Sequence, residues 1–280
     1  MKRIHLFEFM DQPWYPATFR RMQTDYLQFV VTRGSGHEQL IPLITKALRQ
    51  AGTTEIVDLC SGGTGPWLKL QAQLAQAGSL VSVKLTDKYP DPASIYRWVS
   101  APDTSIEYLA EPVDALCVPN HLSGMRTLFE GFHHFRPEQA RAILQDAAKQ
   151  KVAVGIFEAS FKPPLDTLLL LLSPLLTLLG YLFVTPFIRP RLLARFFWTY
   201  LIPVVPLATC WDGIVSLLRV YSPQALKSLT DQLQVDGYGW EIGQASAGNP
   251  LFAYIYLIGY PVVDSRSGYI PRGLPRLMNC

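Results

Sequence analysis

Residues 57–67 read Val-Asp-Leu-Cys-Ser-Gly-Gly-Thr-Gly-Pro-Trp, an acid and a cluster of glycines between a short apolar run and a helix-like one. The preceding "EIVDL" is rich in β-formers. The following "WLKLQAQLAQAG" places Trp67, Leu68, Leu70, Leu74 and Ala75 at helical spacing and closes on Gly78. "LVSVKLTD" then alternates as a second strand, so residues 55–87 read as one strand-helix-strand unit with parallel strands and a right-handed crossover. In an open parallel sheet the ligand lies at the carboxyl ends of the strands, beside the first strand-to-helix turn. Glycines let the backbone approach it, because a Cβ would occupy the space and several turn conformations have positive φ.

The same alternation continues outward. "IEYLAEPV" and "MRTLFEGF" read as strands, "RPEQARAILQDAAKQ" as a helix, and "KVAVGIFEAS" as a strand apolar enough to be covered on both faces. Beyond a long hydrophobic stretch come the helix "SPQALKSLTDQL" and two runs, "GYGWEIGQAS" and "LFAYIYLIGYP", that suit an antiparallel edge hairpin. Strands alternating with helices make a doubly wound α/β sheet. Before the glycine turn, residues 18–31 and 38–50 read as two helices.

Two acids close the first two strands, Asp58 and Asp87. An acid at the second position accepts two hydrogen bonds from ribose hydroxyls in nucleoside binders. The phosphate-cradling patterns G-x-x-x-x-G-K-[ST] and G-x-G-x-x-G are both missing: Gly62, Gly63 and Gly65 lead into Pro66 and Trp67. A turn without a phosphate anchor suits a cationic or zwitterionic nucleoside, which points to S-adenosylmethionine.

"EIVDLCSGGTGP" resembles the first motif of class I S-adenosylmethionine-dependent methyltransferases, in the D-L-C-S-G-x-G-G-P form of one bacterial group, with Thr64 where that group often has glycine. "LTDKYPD" resembles the second motif, in which the acid, here Asp87, holds the ribose. "EPVDALCVP" resembles the third, which puts Asp114 opposite the adenine amine and Ala115 beside the ring. "RTLFEGFHHFRPEQARAIL" and "WDGIVSLLRVYSPQAL" resemble the fourth-strand region and the segment after the fifth strand. The resemblance spans residues 7–261 apart from the hydrophobic stretch. It implies a Rossmann-like, mainly parallel seven-stranded sheet with an antiparallel C-terminal edge hairpin. It implies a cofactor site of Asp58, Cys60, Ser61, Gly62, Gly63, Gly65, Asp87, Lys88, Asp114, Ala115 and Glu130.

On the acceptor side, "EGFHHF" places Glu130, His133 and His134 just after the fourth strand, where a histidine can take a proton from a hydroxyl near neutral pH or serve as a packed wall. Glu158 ends the fifth strand, and a carboxylate there is costly unless it is paired or part of a site. Asp212 suits a cap for the helix "GIVSLLRV" or a place at the site rim. "FEFMDQPWYP" offers Asp11, Trp14 and Tyr15 as rim residues of an N-terminal lid.

The chain has 280 residues, 49% hydrophobic and 17% charged, against a usual charged share of about 25%. Net charge is +3 with no basic stripe, so nucleic acid is not suggested. Cys60, Cys117, Cys210 and Cys280 are scattered and no histidine stands at metal-ligand spacing from them, so neither a zinc site nor a disulfide framework is expected. The N-terminus has no apolar core of signal-peptide length, which places the globular part in the cytoplasm.

Residues 165–188, "LDTLLLLLSPLLTLLGYLFVTPFI", carry one charge and are about long enough to cross a bilayer. "FFWTYLIPVVPLATCW" follows after Arg189, Arg191 and Arg195. Two full crossings would leave three arginines on the far side, against the charge bias of cytoplasmic loops, and prolines 174, 186, 190, 203 and 206 interrupt long helices. The expectation is a re-entrant or interface-lying hairpin on the cytoplasmic face of a membrane, the bacterial inner membrane, with the arginines at headgroups and Trp198, Tyr200 and Trp211 in the aromatic belt. The expected organisation is a helical lid over residues 1–50, a methyltransferase domain over 51–162 and 211–265, the hairpin over 163–210 and a tail over 266–280. The hairpin borders the acceptor side, which favours methylation of a lipophilic small molecule or lipid at oxygen. The alternatives are a soluble or peptidic acceptor with the hairpin as anchor, or a non-catalytic membrane adaptor that retains a nucleoside pocket. The sequence leaves the oligomeric state open.

Overall fold

Strand β1 (Glu55–Asp58) is the centre from which the sheet is wound, pairing in parallel with β2 (Ser82–Leu85) on one side and β4 (Met125–Phe129) on the other. The structure is a computed structural model and describes residues 3–34, 36–91, 105–233 and 235–262; the expected tail over 266–280, with Cys280, lies outside the described residues. With β3 (Ile106–Tyr108), β5 (Val154–Phe161), β6 (Tyr238–Ser246) and β7 (Phe252–Pro261) the seven strands run in the order β3-β2-β1-β4-β5-β7-β6. Strand β7 is antiparallel to both its neighbours, as expected of the C-terminal hairpin.

Alternation along each strand divides the core into two layers. Ile56, Val83, Met125, Phe157 and Ile258 face α2 (Ile41–Ala51) and α3 (Trp67–Gln76), where Ile44, Leu48, Trp67, Leu70 and Leu74 meet them. Val57, Leu128, Ile156 and Leu257 face α4 (Pro137–Lys149) and α8 (Pro223–Thr230) through Ile143, Leu144, Leu226 and Leu229. Trp67 starts α3 directly after the glycine turn, is fully buried and meets Phe129 edge-on at 5.5 Å, so it pins the turn to the core. Truncating such a residue costs roughly 3–5 kcal/mol. Helix α8 starts where it does because Ser222 Oγ accepts the Ala225 N–H at 3.2 Å.

Helix α1 (Ala17–Arg33) packs between the glycine turn and the hydrophobic stretch, which forms α5 (Asp166–Val184), the short α6 (Leu193–Phe196) with a following π-turn, and α7 (Val204–Arg219). Pro174 does not break α5. It removes the N–H owed to the Leu170 carbonyl, and Ser173 Oγ donates there instead at 2.8 Å. The Pro174 carbonyl in turn accepts from Cys210 Sγ on α7. The boundary expected at 210/211 falls inside the continuous α7.

Tyr181 stacks on Tyr26 of α1 at 4.5 Å, and its hydroxyl donates to the Met22 carbonyl at 3.2 Å. Arg195 is fully buried and bonded to Asp25 of α1, which corrects the expectation that it sits at headgroups; Arg189 and Arg191 are exposed. The aromatic residues also reach inward: Trp198 packs edge-on against Phe19 at 5.1 Å, and Trp211 Nε1 donates to the Phe7 carbonyl at 2.9 Å.

Candidate active site

Asp58 ends β1 with both neighbouring strands beside it, and its carboxylate is only 1% exposed. It accepts the hydroxyl protons of Ser61 and of Thr127, on β4, each at 2.6 Å. Burial outweighs those bonds and pushes its acid up to about 6. Asp58 and Ser61 were expected to touch the cofactor; instead both turn into the sheet and tie the glycine turn to the adjacent strands, Ser61 also donating its N–H to the Thr86 carbonyl at 2.9 Å.

Asp87 stands half-buried at the end of β2. One oxygen accepts the Gly62 N–H and the other the Tyr89 N–H, both at 2.8 Å. A carboxylate has about four lone-pair sites, so two remain for sugar hydroxyls. Gly62 reaches Asp87 because its φ of 59° lies in the left-handed region, and its carbonyl accepts from the Tyr108 hydroxyl at 3.3 Å. At Gly63 a Cβ would stand 2.7 Å from Gln28 Oε1 of α1. That oxygen accepts the Thr64 N–H at 2.8 Å, while Gln28 Nε2 donates to the Gly65 carbonyl at 3.0 Å. Sequence reasoning did not find Gln28, since nothing local ties residue 28 to the turn.

Cys60 (φ 59°) and Glu130 (φ 51°) are non-glycine residues in the left-handed region, each costing roughly 1–3 kcal/mol. They stand at the ends of adjacent strands and meet across Gly131, where a Cβ would lie 2.9 Å from Cys60 Cβ. Both are closely surrounded by protein yet open to solvent, Cys60 partly and Glu130 largely, which describes the walls of a concave opening. Burial pushes the Cys60 thiol and the Glu130 carboxyl well up, with Asp87 and Glu158 adding to the respective shifts. Glu130 Oε1 accepts the Ala159 N–H at 2.7 Å. At the outer rim, Asp114 accepts from Lys88 Nζ at 2.8 Å and from the Leu116 N–H at 3.0 Å, so Lys88 occupies the oxygen expected to face adenine. The Ala115 side chain, expected beside a ring, packs into the core with Val113 and Val118.

Beyond the end of β4 and beside the middle of β5 lies a dense cluster of charge; Glu158, expected to end the fifth strand, stands three residues before its last residue. Glu158 accepts the N–H groups of Phe132 (2.6 Å) and His133 (3.1 Å) and pairs with His133 Nδ1 at 2.6 Å. Burial opposes its charge, but His133 and the backbone donors hold its acid below the ordinary range. Glu158 is 3% exposed and spends its oxygens on this work, so it positions His133 rather than reaching an acceptor, a correction to its expected catalytic role. His133, also 3% exposed, lies behind His134, and their rings stack at 4.3 Å. His134 is the one that opens outward, its Nδ1 2.7 Å from Asp11 Oδ1. Burial disfavours its charge, yet Glu8 and Asp11 raise its pKa to about 9. A histidine holding its proton at neutral pH is not a free base, against the expectation of proton abstraction there.

Two residues that the sequence reading passed over complete the cluster. Glu8 is 2% exposed and accepts from Arg219 Nη1 at 3.0 Å; the same nitrogen donates to Asp11 at 2.7 Å. Each is a lone charge in an apolar run, "HLFEF" and "SLLRV", and that was the available signal. Asp212 is not the start of a helix but the middle of α7, where it accepts the Phe9 N–H at 2.7 Å, the Met10 N–H at 3.3 Å and Gln23 Nε2 at 3.1 Å, fixing the turn that carries Asp11. On the other side of that turn an open apolar groove of about 530 Å³ runs between Phe9, Trp14, Tyr15 and Phe19 and the α7 residues Val204 and Leu207.

The strand order with its reversed strand is that of the Rossmann-like methyltransferase fold. No family model matches the chain, and no curated protein matches it. Among solved structures it is similar to LepI in complex with SAM (14% identity, TM-score 0.42, 74% of this chain and 43% of that one). It is also similar to human N-acetylserotonin methyltransferase with SAM (10%, 0.42, 85% and 59%). A third is magnesium protoporphyrin IX methyltransferase of Synechocystis PCC 6803 with SAH (14%, 0.38, 80% and 83%). The chain thus spans well under two thirds of the first two.

Proposed function

We propose that the chain is an S-adenosylmethionine-dependent methyltransferase that lies on the cytoplasmic face of a membrane and methylates a lipophilic acceptor at oxygen. The observation that carries this reading is that the strand-end opening and the apolar groove meet at one turn, Phe9–Asp11: Phe9 lines the groove while Asp11 contacts His134. Asp87 and the glycine turn supply the sugar and amino-acid side of a nucleoside site, in keeping with the D-L-C-S-G-x-G-G-P likeness. Methyl transfer from a sulfonium asks the protein to align the nucleophile and exclude water, and an aromatic-walled groove beside the opening does both for an apolar acceptor.

The membrane part rests on α5. Leu168, Leu171, Leu172, Leu175, Leu176, Leu179 and Phe183 form one outward stripe, each 41–74% exposed. The helix segment has mean hydropathy 2.2 with only 11% of it buried, unlike a core helix. Its far end packs on α1 through Tyr181, and Ile188 just beyond it joins the same cluster, so that end is held against the body. That supports a surface-lying arrangement with the stripe in lipid.

The test is calorimetry with S-adenosylmethionine, then mass spectrometry of lipid extracts from cells with and without the gene. The expected result is cofactor binding and a lipid heavier by one CH₂ in cells that carry the gene. Absence of cofactor binding at millimolar ligand would favour a non-catalytic adaptor.

A further inference from the structure

We propose that Glu8, His133 and His134 bind one divalent first-row transition-metal cation. No zinc site is expected from the sequence, because metal-binding patterns in sequence are local, whereas these ligands come from residue 8 and from the turn Phe132–His134 after β4. One donor atom from each of the three lies within 4.8 Å of the others.

The geometry of His133 is the first argument. Its Nδ1 is engaged by Glu158 at 2.6 Å, and with that nitrogen donating, the neutral ring carries its lone pair on Nε2, at the opposite edge. That Nε2 is buried, has no hydrogen-bond partner, and faces Glu8 Oε1 at 3.8 Å, too far for a hydrogen bond. Glu8 Oε1 also accepts from Arg219 Nη1 at 3.0 Å, which fixes that carboxylate beside the ring, and the gap to Nε2 leaves room for a cation with bonds of about 2.0–2.2 Å to each atom. A carboxylate on the far nitrogen of a ligating histidine is the usual orienting arrangement in metal sites. Glu158 fills that role with both its oxygens held.

His134 gives the second argument. Its Nδ1 is 3.5 Å from Glu8 Oε2 and 2.7 Å from Asp11 Oδ1, but forms no well-aligned hydrogen bond with either. A ring nitrogen with two carboxylates within 3.5 Å suits a shared ion, with Asp11 placed to join as a further oxygen. The third argument is charge. Glu8, Asp11 and Glu158 bring three negative charges and Arg219 one positive, so a bound dication that displaces the His134 proton leaves these groups balanced. Two nitrogens with one or two oxygens select a first-row transition metal over magnesium or calcium.

The back of the cluster, Glu8 and His133, is sealed, while the His134 and Asp11 side chains are 27% and 30% exposed, so the remaining coordination positions open toward the acceptor side. The role there, holding and polarising an acceptor oxygen, rests on the methyl-transfer reading; metal binding itself does not.

The experiment is titration of the chelator-stripped full chain with Co²⁺, without S-adenosylmethionine, followed by visible absorption and calorimetry. The expected result is one equivalent bound with d–d bands of nitrogen-containing coordination. H134Q, at the exposed edge, and E8Q should each weaken binding by at least about tenfold, and E158Q by about 10–100-fold through loss of ring orientation. Melting curves of each variant separate lost ligands from lost fold. No stoichiometric cobalt in a folded wild-type chain, or folded H134Q binding as tightly as wild type, overturns the proposal. Because the titration omits the cofactor, its failure leaves the cofactor calorimetry to report separately on methyl transfer.

Discussion

The side-chain amide of Gln28 takes the place of a peptide group over the glycine turn, accepting the Thr64 N–H at 2.8 Å and donating to the Gly65 carbonyl at 3.0 Å. Helix α1 is thereby fastened to the loop on which a nucleoside is to rest. Q28A removes both bonds and leaves the buried Thr64 N–H unpaired, a loss of about 1–3 kcal/mol. The expected outcome is S-adenosylmethionine affinity reduced by about tenfold with secondary structure intact, read by calorimetry and circular dichroism. Unchanged affinity would show that the turn holds its shape without α1.

Asp58 gives a prediction in pH. Its folded-state pKa of about 6 is raised from 3.8 by burial, so the folded chain favours the protonated acid. Its contribution is therefore full below about pH 4 and is lost as pH rises through 6, up to about 3 kcal/mol. Urea midpoints of D58N and wild type should differ in slope between pH 4 and 6.5, the variant being the flatter. A parallel slope in both would mean that the Ser61 and Thr127 hydroxyls fully compensate the buried charge.

Asp25 and Arg195 form a buried ion pair that joins α1 to the hydrophobic insertion. R195A removes the buried guanidinium beside Asp25 and should cost about 3–5 kcal/mol, whereas D25L combined with R195M should recover most of that. Equilibrium unfolding of the three variants in mild detergent checks this, and equal losses in the single and double variants would count against it.

The outward stripe of α5 predicts lipid binding. Replacing Leu171, Leu175 and Phe183, which are 72%, 54% and 74% exposed, with glutamate removes apolar side chains worth about 1.5–3 kcal/mol each on burial. Co-sedimentation with anionic vesicles should fall by at least about 100-fold while cofactor binding persists. Persistent sedimentation of the triple variant would assign the stripe another partner.

What the sequence disclosed was what short stretches can carry. The βαβ unit, the covered β5, the edge hairpin and the place of Asp87 follow from periodicity and turn chemistry within about 30 residues. Where side chains point was not legible. Asp58 looked like a ligand because it ends a strand, yet the hydroxyl that captures it comes from Thr127, 69 residues away. Glu8 and Arg219 are 211 residues apart, and only the packing of α7 against the N-terminal turn brings them together. The arginines after α5 read alike in sequence, but α1 offers a carboxylate to Arg195 alone among them.

That one helix grips both the glycine turn and the insertion limits how the molecule opens. Asp25 and Gln28 stand less than one helical turn apart on α1, so lifting the helix from the turn also tears the anchor to Arg195. Any motion that frees the glycine turn from α1 therefore also loads the salt link to the insertion, so the two ends of that contact act as one unit.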